Sequence, residues 1–205
     1  MYLHKTPMWL GKIFPDILWH INTEAKEIYL TFDDGPIPEV THWVLEQLEQ
    51  YNARATFFMV GDNITKYKEL FIEVINRQHT VGNHTFNHLN GWHTNDQTYV
   101  ENISKAEELL NNNSTKLFRP PHGKLKWSQY LKIKKSFKIA MWDVLSGDFD
   151  ISLSNEQCLQ SSISATVPGS VIVFHDSTKT IAKLKYVLPR YLEHFTALEF
   201  KFKAL

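Results

Sequence analysis

Short apolar runs alternate with segments of helical periodicity along the whole chain. The runs are almost continuously apolar and rich in β-branched and aromatic residues, which is typical of strands covered on both faces. They predict seven strands, at residues 27–32, 54–60, 79–84, 116–119, 137–144, 170–175 and 197–202. This alternation predicts a single-domain α/β fold with a parallel sheet, either a barrel or an open doubly wound sheet.

The segments between the strands carry helix-terminus signals. Pro38 suits a first helical turn, and Ser154 with Gln157 forms a capping-box pattern. The periodicity predicts six helices, at about 38–51, 63–78, 95–111, 125–135, 154–165 and 178–194. Pro189 is expected to kink or split the last helix because proline lacks the N–H of the helical ladder. Residues 1–27 are expected to form an N-terminal extension that packs on a domain of residues 28–205.

The composition indicates a globular protein and argues against several kinds of binding site. The 205 residues are 43% hydrophobic and 21% charged, as in one globular domain. The 22 basic residues balance the 22 acidic ones, so there is no electrostatic footprint for nucleic acid. The single Cys158 excludes an intrachain disulfide and a multi-cysteine zinc site. The oligomeric state stays open.

The chain shows no targeting or membrane pattern. No segment approaches the ~20 apolar residues that cross a bilayer. Charged residues and prolines interrupt the apolar character of residues 1–21, so no signal-peptide core is evident. We therefore expect no transmembrane segment and a cytoplasmic location.

Polar residues follow several strands at their carboxyl ends, the edge where parallel α/β proteins gather their reactive groups. Asp33 and Asp34 end the run IYLTFDDGP, where the Gly-Pro pair terminates the strand. His84 and His88 in HTFNH are four residues apart, and on a helical turn both imidazoles would face one metal ion. His175 ends the run VIVFH in the same way. Convergence of these side chains would form one reactive site.

Two further segments add candidate residues at strand ends. Arg119 precedes two prolines in FRPPHG, where the chain must turn. Asp143 and Asp148 lie in WDVLSGDF, at the end of the predicted strand 137–144 and just beyond it. Each of these residues is unremarkable alone, but all of them lie at the carboxyl ends of predicted strands.

In order, these five motifs resemble those of the polysaccharide deacetylase family, the NodB-homology domain of carbohydrate esterase family 4. The resemblance covers about residues 28–202, and TFDDGP is its most specific motif. It implies a distorted (β/α) barrel with about seven parallel strands. It also implies a metal-dependent hydrolase that removes acetyl groups from N-acetylated, or O-acetylated, carbohydrate.

The resemblance implies a bound divalent metal, of which zinc is the first choice and cobalt, nickel or manganese are alternatives. It also assigns roles to individual residues. It implies a general base at Asp33, metal ligands at Asp34, His84 and His88, a general acid at His175, an orienting cation at Arg119, and substrate or oxyanion contacts at His122 and Trp142. In this scheme the base takes a proton from the attacking water, and the acid protonates the departing amine.

Two positions depart from the family pattern. His122 stands where the third motif has an aromatic residue, and Leu145 stands where the fourth has the acidic partner of Arg119. On an extended strand Asp143 would face the same side as Leu145. We therefore predict that Asp143 or Asp148 supplies the missing acid and belongs to the catalytic set.

Two alternative functions stay open at this point. The departures at His122 and Leu145 favour a non-catalytic carbohydrate-binding module of the same fold. Paired aspartates and an His-Asp dipeptide also suit a metal phosphohydrolase, but the chain has no glycine-rich phosphate loop.

Overall fold

The structure, a computed structural model, describes residues 3–7 and 9–205, and it contains one curled parallel sheet with helices around it. The strands are β1 Glu27–Asp33, β2 Thr56–Met59, β3 Thr80–Asn83, β4 Ser114–Phe118, β5 Lys138–Ile139, β6 Val144–Leu145, β7 Val171–His175 and β8 Lys201–Lys203. The helices are α1 Trp9–Ile13, α2 Pro38–Gln50, α3 Gly61–Lys66, α4 Lys68–Asn76, α5 Asp96–Leu110, α6 Trp127–Ile133, α7 Asn155–Ala165 and α8 Ile181–Ala197.

The sheet has the order β5-β4-β3-β2-β1-β7-β6, with β8 beside the start of β1, and all of these pairs are parallel. β1 therefore lies at the centre. Asp33 at its end is in register with Phe58 of β2 and with His175 of β7. This curled arrangement confirms the distorted barrel and removes the flat doubly wound alternative.

The N-terminal extension contacts both edges of the curled sheet. Lys5 forms an antiparallel bridge with Val144 in β6, and Leu18 forms a parallel bridge with Ala140 just after β5. The short helix α1, which periodicity did not predict, lies between these two contacts. The extension thus covers the seam between the first and last strands of the sheet order.

Three predicted elements differ from the structure. The strand predicted at 137–144 is two short strands, and the helix predicted at 63–78 breaks at Tyr67 into α3 and α4. Pro189 does not split α8. Leu188 and Tyr191 on either side of it are fully buried, so packing of the apolar face outweighs the hydrogen bond that proline cannot make.

An aromatic stack supports the centre of the sheet. The Phe32 ring in β1 lies 5.1 Å from Phe57 in β2 and 5.9 Å from Phe174 in β7, between centroids. All three are fully buried. The residue that precedes Asp33 is therefore clamped on both sides, which gives the polar end of β1 a rigid base.

No helix among the described residues is both long and apolar enough to cross a membrane.

Replacing Phe32 with alanine tests this support. We expect a loss of about 3–5 kcal/mol in the free energy of unfolding, because the substitution leaves a cavity between two rings. Urea unfolding followed by circular dichroism measures it. Ile151→Ala, at a side chain 97% exposed, serves as the control and should change stability by less than about 0.5 kcal/mol.

Candidate active site

The two aspartates at the end of β1 point to different partners. Asp33 is the last residue of the strand and is buried, 3% exposed. Asp34 follows with a φ of +87°, a left-handed conformation that non-glycine residues rarely adopt. The strand direction is therefore broken between them, and their carboxylates reach two neighbouring positions of one site.

Asp34, His84 and His88 form a three-residue cluster. The Asp34 Oδ1 atom lies 3.0 Å from His88 Nε2 and 3.8 Å from His84 Nε2. Donors that each lie ~2.1 Å from a tetrahedral zinc ion are ~3.4 Å apart, so these separations suit one ion. One carboxylate and two imidazoles leave open positions, as catalytic zinc sites do. The donor set fits a divalent metal.

The charge states of the cluster also fit a metal. Burial lowers the pKa of His84 to about 4, which keeps its imidazole neutral at pH 7. Its Nδ1 donates a hydrogen bond to the Arg119 carbonyl at 2.8 Å. The unprotonated Nε2 atom is therefore available to bind a metal. Burial raises the pKa of Asp34, but the hydrogen bond from His88 and nearby imidazoles outweigh it and hold that pKa well below its usual range.

The loop after β3, rather than a helical turn, presents the two histidines. Residues 84–88 contain no helix, and Thr85 and His88 have φ values of +63° and +54°. The helical-turn expectation was therefore wrong. The ring centroids of His84 and His88 are nevertheless 5.1 Å apart, because two left-handed residues fold the loop back on itself.

Arg119 is fully buried and orients Asp33. Its Nη1 donates to Asp33 Oδ1 and to Thr31 Oγ1, both at 2.7 Å. Its Nε and Nη2 donate to the carbonyls of Ala140 at 3.0 Å and Met141 at 2.8 Å. These carbonyls lie between β5 and β6, which accounts for the split of the predicted strand. Two backbone carbonyls and a hydroxyl thus accept the guanidinium hydrogen bonds that were expected to go to a second acidic residue.

The expected contact between Asp143 and Arg119 was wrong. The Asp143 carboxylate accepts from the Val171 N–H at 2.7 Å and pairs with Lys5 at 2.8 Å and His20 at 3.0 Å. Val171 begins β7, whereas the reactive residues follow strand ends. The same-face argument failed because Asp143 precedes β6 and is not part of an extended strand. Asp143 anchors the N-terminal extension instead.

Asp148 contacts His175 rather than Arg119. Its Oδ1 lies 2.8 Å from His175 Nδ1, and its Oδ2 accepts from the His175 backbone N–H at 2.7 Å. The Nδ1 proton is held by the carboxylate, so Nε2 is the other exchangeable nitrogen. Burial alone lowers the pKa of His175, but the charge and hydrogen bond of Asp148 outweigh it and raise that pKa well above its usual value. The raised pKa favours the protonated form of the His175 imidazole.

A cavity of about 450 Å³ joins these groups. Its walls include Asp33, Asp34, His84, His88, His122, Trp142, Leu145, Phe149, His175 and Lys179. The His122 ring lies 4.7 Å from the His88 ring between centroids, and the Phe149 ring lies 5.4 Å from that of His175. Apart from Arg119, Asp143 and Asp148, every residue predicted for the site lines this cavity, and Arg119 and Asp148 lie directly behind it.

Motif comparison missed two residues of the site. Thr31 precedes Asp33 by two positions, so the period of a strand places both on one face, and this signal was available in the sequence. Lys179 lies before α8 and lines the cavity, but nothing in its local sequence indicates that.

Comparison with known proteins agrees with this geometry. The profile of the family described as Polysaccharide deacetylase matches residues 20–142, more than half of the chain. The chain belongs to the polysaccharide deacetylase family. This confirms the resemblance that the five motifs indicated. The enzymes that this chain resembles are deacetylases. The family is metal-dependent.

Named members of the polysaccharide deacetylase family are similar over most of the chain. A peptidoglycan-N-acetylglucosamine deacetylase of Bacillus cereus is 36% identical over 159 residues, which cover 74% of this chain and 56% of that protein. A chitooligosaccharide deacetylase of Azorhizobium caulinodans is 31% identical, covering 82% of this chain and 90% of that protein. The chain therefore spans little more than half of the Bacillus protein's length.

A solved structure extends the similarity to the fold. A peptidoglycan N-acetylglucosamine deacetylase in complex with 4-naphthalen-1-yl-N-oxidanyl-benzamide superposes with a TM-score of 0.87 at 30% identity. The match covers 98% of this chain and 95% of that one. It includes the N-terminal extension, whose separation from the domain at residue 27 stays a prediction.

Substitution of each aspartate of β1 tests the division between them. Asp34→Ala should lose Zn²⁺ affinity by at least tenfold, because it removes one of the three side chains of the candidate metal cluster. Asp33→Ala should keep the affinity within about threefold and lose turnover, because Asp33 Oδ1 is bound by Arg119 and Asp33 Oδ2 is 4.0 Å from His84 Nε2, beyond hydrogen-bond distance. Chelator competition measures the first effect and acetate release the second. Equal metal loss in both variants would contradict the assignment.

The Asp148–His175 pair predicts a pH dependence. A general acid works only while protonated, and Asp148 raises the pKa of His175. Asp148→Asn should lower that pKa, so the alkaline limb of the kcat/KM profile should move to lower pH by ~1–3 units.

Asp143→Asn is the control for this shift. It changes a second buried aspartate but should leave the pH profile unchanged, because Asp143 contacts the N-terminal extension. A shift of equal size in both variants would contradict the assignment of Asp148.

Proposed function

We propose that the protein is a zinc-dependent deacetylase that acts on N-acetylglucosamine residues of a glycan. The observation that carries this proposal is a single cavity in which the Asp34, His84 and His88 cluster lies beside the buried base Asp33 and opens to His175. These are the parts that hydrolysis of an acetamide needs.

The bound ion would supply Lewis acidity toward the acetyl carbonyl and a lowered pKa of water. The protein groups supply the proton transfers. Arg119 holds Asp33 Oδ1 at 2.7 Å, which leaves Oδ2, 4.0 Å from His84 Nε2, to take the proton of the attacking water. His175 then donates its proton to the departing nitrogen.

The Asp148–His175 pair favours an amide over an ester as substrate. An amine departs from a tetrahedral intermediate only after protonation, whereas an alkoxide has a weaker need for a general acid. A histidine whose pKa is raised by a buried carboxylate stays protonated at neutral pH. This supports N-deacetylation as the main reaction.

The names of the relatives support the substrate class. The Bacillus and Azorhizobium proteins are named for peptidoglycan N-acetylglucosamine and for chitooligosaccharide, which share N-acetylated glucosamine units. The cavity contains aromatic walls at Trp142 and Phe149, and aromatic faces suit sugar rings. We therefore propose an N-acetylglucosamine oligomer as substrate.

Acetate release is the direct test. The purified protein with Zn²⁺ should release acetate from N-acetylated chito-oligosaccharides or peptidoglycan, more slowly from acetylxylan, and not after EDTA treatment.

Asp33→Asn should reduce kcat by about 10²–10⁴-fold, because it removes the general base. The N-oxidanyl-benzamide compound bound by the similar solved structure should inhibit, because its adjacent oxygens can chelate a metal.

The alternatives predict different outcomes. Sugar binding without acetate release would favour the carbohydrate-binding module. Phosphate release with a preference for Mg²⁺ would favour the phosphohydrolase. Either result would overturn the proposed function.

A further inference from the structure

The turn that carries Asp34 is held in an unfavourable backbone conformation. The φ of Asp34 is +87°, where a side chain is strained, and such conformations persist only when surrounding contacts hold them. The strand ends one residue earlier, so the sheet ladder does not fix this residue. The position of the proposed metal ligand must therefore come from side chains that bind the turn.

Asp176 makes the largest set of these contacts. It is fully buried, and its Oδ1 accepts the Gly35 N–H at 3.1 Å. Its Oδ2 accepts the Thr41 hydroxyl at 2.5 Å, and the Thr41 oxygen in turn accepts the Ile37 N–H at 2.8 Å. The Asp176 backbone N–H donates to the Asp33 carbonyl at 3.0 Å. Asp176 thus binds the chain directly on either side of Asp34, and through Thr41 it also reaches Ile37.

The Asp176 carboxyl also fits the turn sterically. A Cβ built on Gly35 would lie 2.1 Å from Asp176 Oδ2, so the carboxyl occupies the space that any side chain at position 35 would need. Glycine at this position is what allows the approach.

A second side chain holds the opposite side of the turn. Asn63 Nδ2 donates to the Asp34 carbonyl at 2.8 Å, and the Val60 N–H donates to the Gly35 carbonyl at 3.0 Å. Asp176 therefore binds the Asp33 carbonyl and the Gly35 N–H, whereas Asn63 and Val60 bind the carbonyls of Asp34 and Gly35. Rotation of the Asp34–Gly35 peptide would break several of these bonds at once.

We propose that Asp176 is a positioning residue for the metal site: through Gly35 and Thr41 it fixes the backbone that directs the Asp34 carboxylate at His84 and His88. This inference rests on the proposed function only in that Asp34 is taken as a metal ligand. Outer-shell partners of ligating groups typically change metal affinity by 10–100-fold when removed. The same range is expected here.

Metal affinity, measured apart from activity, tests the proposal. Asp176→Ala should raise the Kd for Zn²⁺ by ~10–100-fold in chelator competition and change the visible spectrum of the Co²⁺-loaded protein. Asp176→Asn keeps an oxygen for the Gly35 N–H and should recover most of the affinity. Thr41→Val preserves side-chain volume, removes only the hydroxyl, and should lose affinity in the same direction by a smaller factor.

Two matched controls separate positioning from stability. Asp143 binds in the same way at the other end of β7, since one of its oxygens accepts the Val171 N–H and the other the Ser170 hydroxyl. Asp143→Ala should lower the Tm without changing the Kd for Zn²⁺. Thr56→Val removes a buried hydroxyl that accepts the Leu205 N–H, away from the Asp34 turn, and should likewise leave the Kd unchanged.

The outcomes are distinct. If the unmodified protein binds Zn²⁺ and both Asp176→Ala and Thr41→Val bind it equally tightly, the positioning role is overturned while the proposed function stands. If the unmodified protein binds no divalent metal, the metal site fails and the inference fails with it. If Asp176→Ala does not fold, the Kd of Thr41→Val for Zn²⁺ decides.

Discussion

The buried ion pair between Arg119 and Asp33 is the interaction on which the arrangement of the site depends. Both side chains are almost completely removed from water, and their N–O distance is 2.7 Å. Removal of one partner from such a pair typically costs about 3–5 kcal/mol, because it leaves an unpaired charge in a medium of low polarity. The surrounding chain is shaped to satisfy the guanidinium. The carbonyls of Ala140 and Met141 leave the sheet ladder to do so, which divides one expected strand into two.

Ionisable residues of the same type have different environments in this site. Asp33 is paired with Arg119, whereas Asp34 is surrounded by imidazoles and has a depressed pKa. His84 is held neutral by burial, whereas His175 is held protonated by Asp148. Two carboxylates and two histidines thus have four different environments. The differences come from neighbours contributed by separate strands and loops.

Asp143 and Asp148 show how little sequence proximity says about location. They are five residues apart, yet Asp143 binds the N-terminal extension and Asp148 binds His175. The chain passes through β6 between them and continues to the opposite end of the sheet. Asp143 thereby contributes to closing the seam of the curled sheet, whereas Asp148 fixes the side chain and backbone of His175. Placing both at one site from the sequence failed for this reason.

Local signals were enough to predict most strands, most helices and the five motifs at the strand ends. Apolar runs, caps and Gly-Pro turns act over a few residues, and parallel strands bring their carboxyl ends to one edge. Tertiary structure alone decided which acid meets which base, that a loop and not a helical turn presents His84 and His88, and that backbone carbonyls replace an acid at Arg119. It also brought Asp176 against Gly35, 141 positions away. These contacts join residues far apart in sequence, and hydrogen-bond satisfaction in a buried site depends on three-dimensional neighbours that no local pattern encodes.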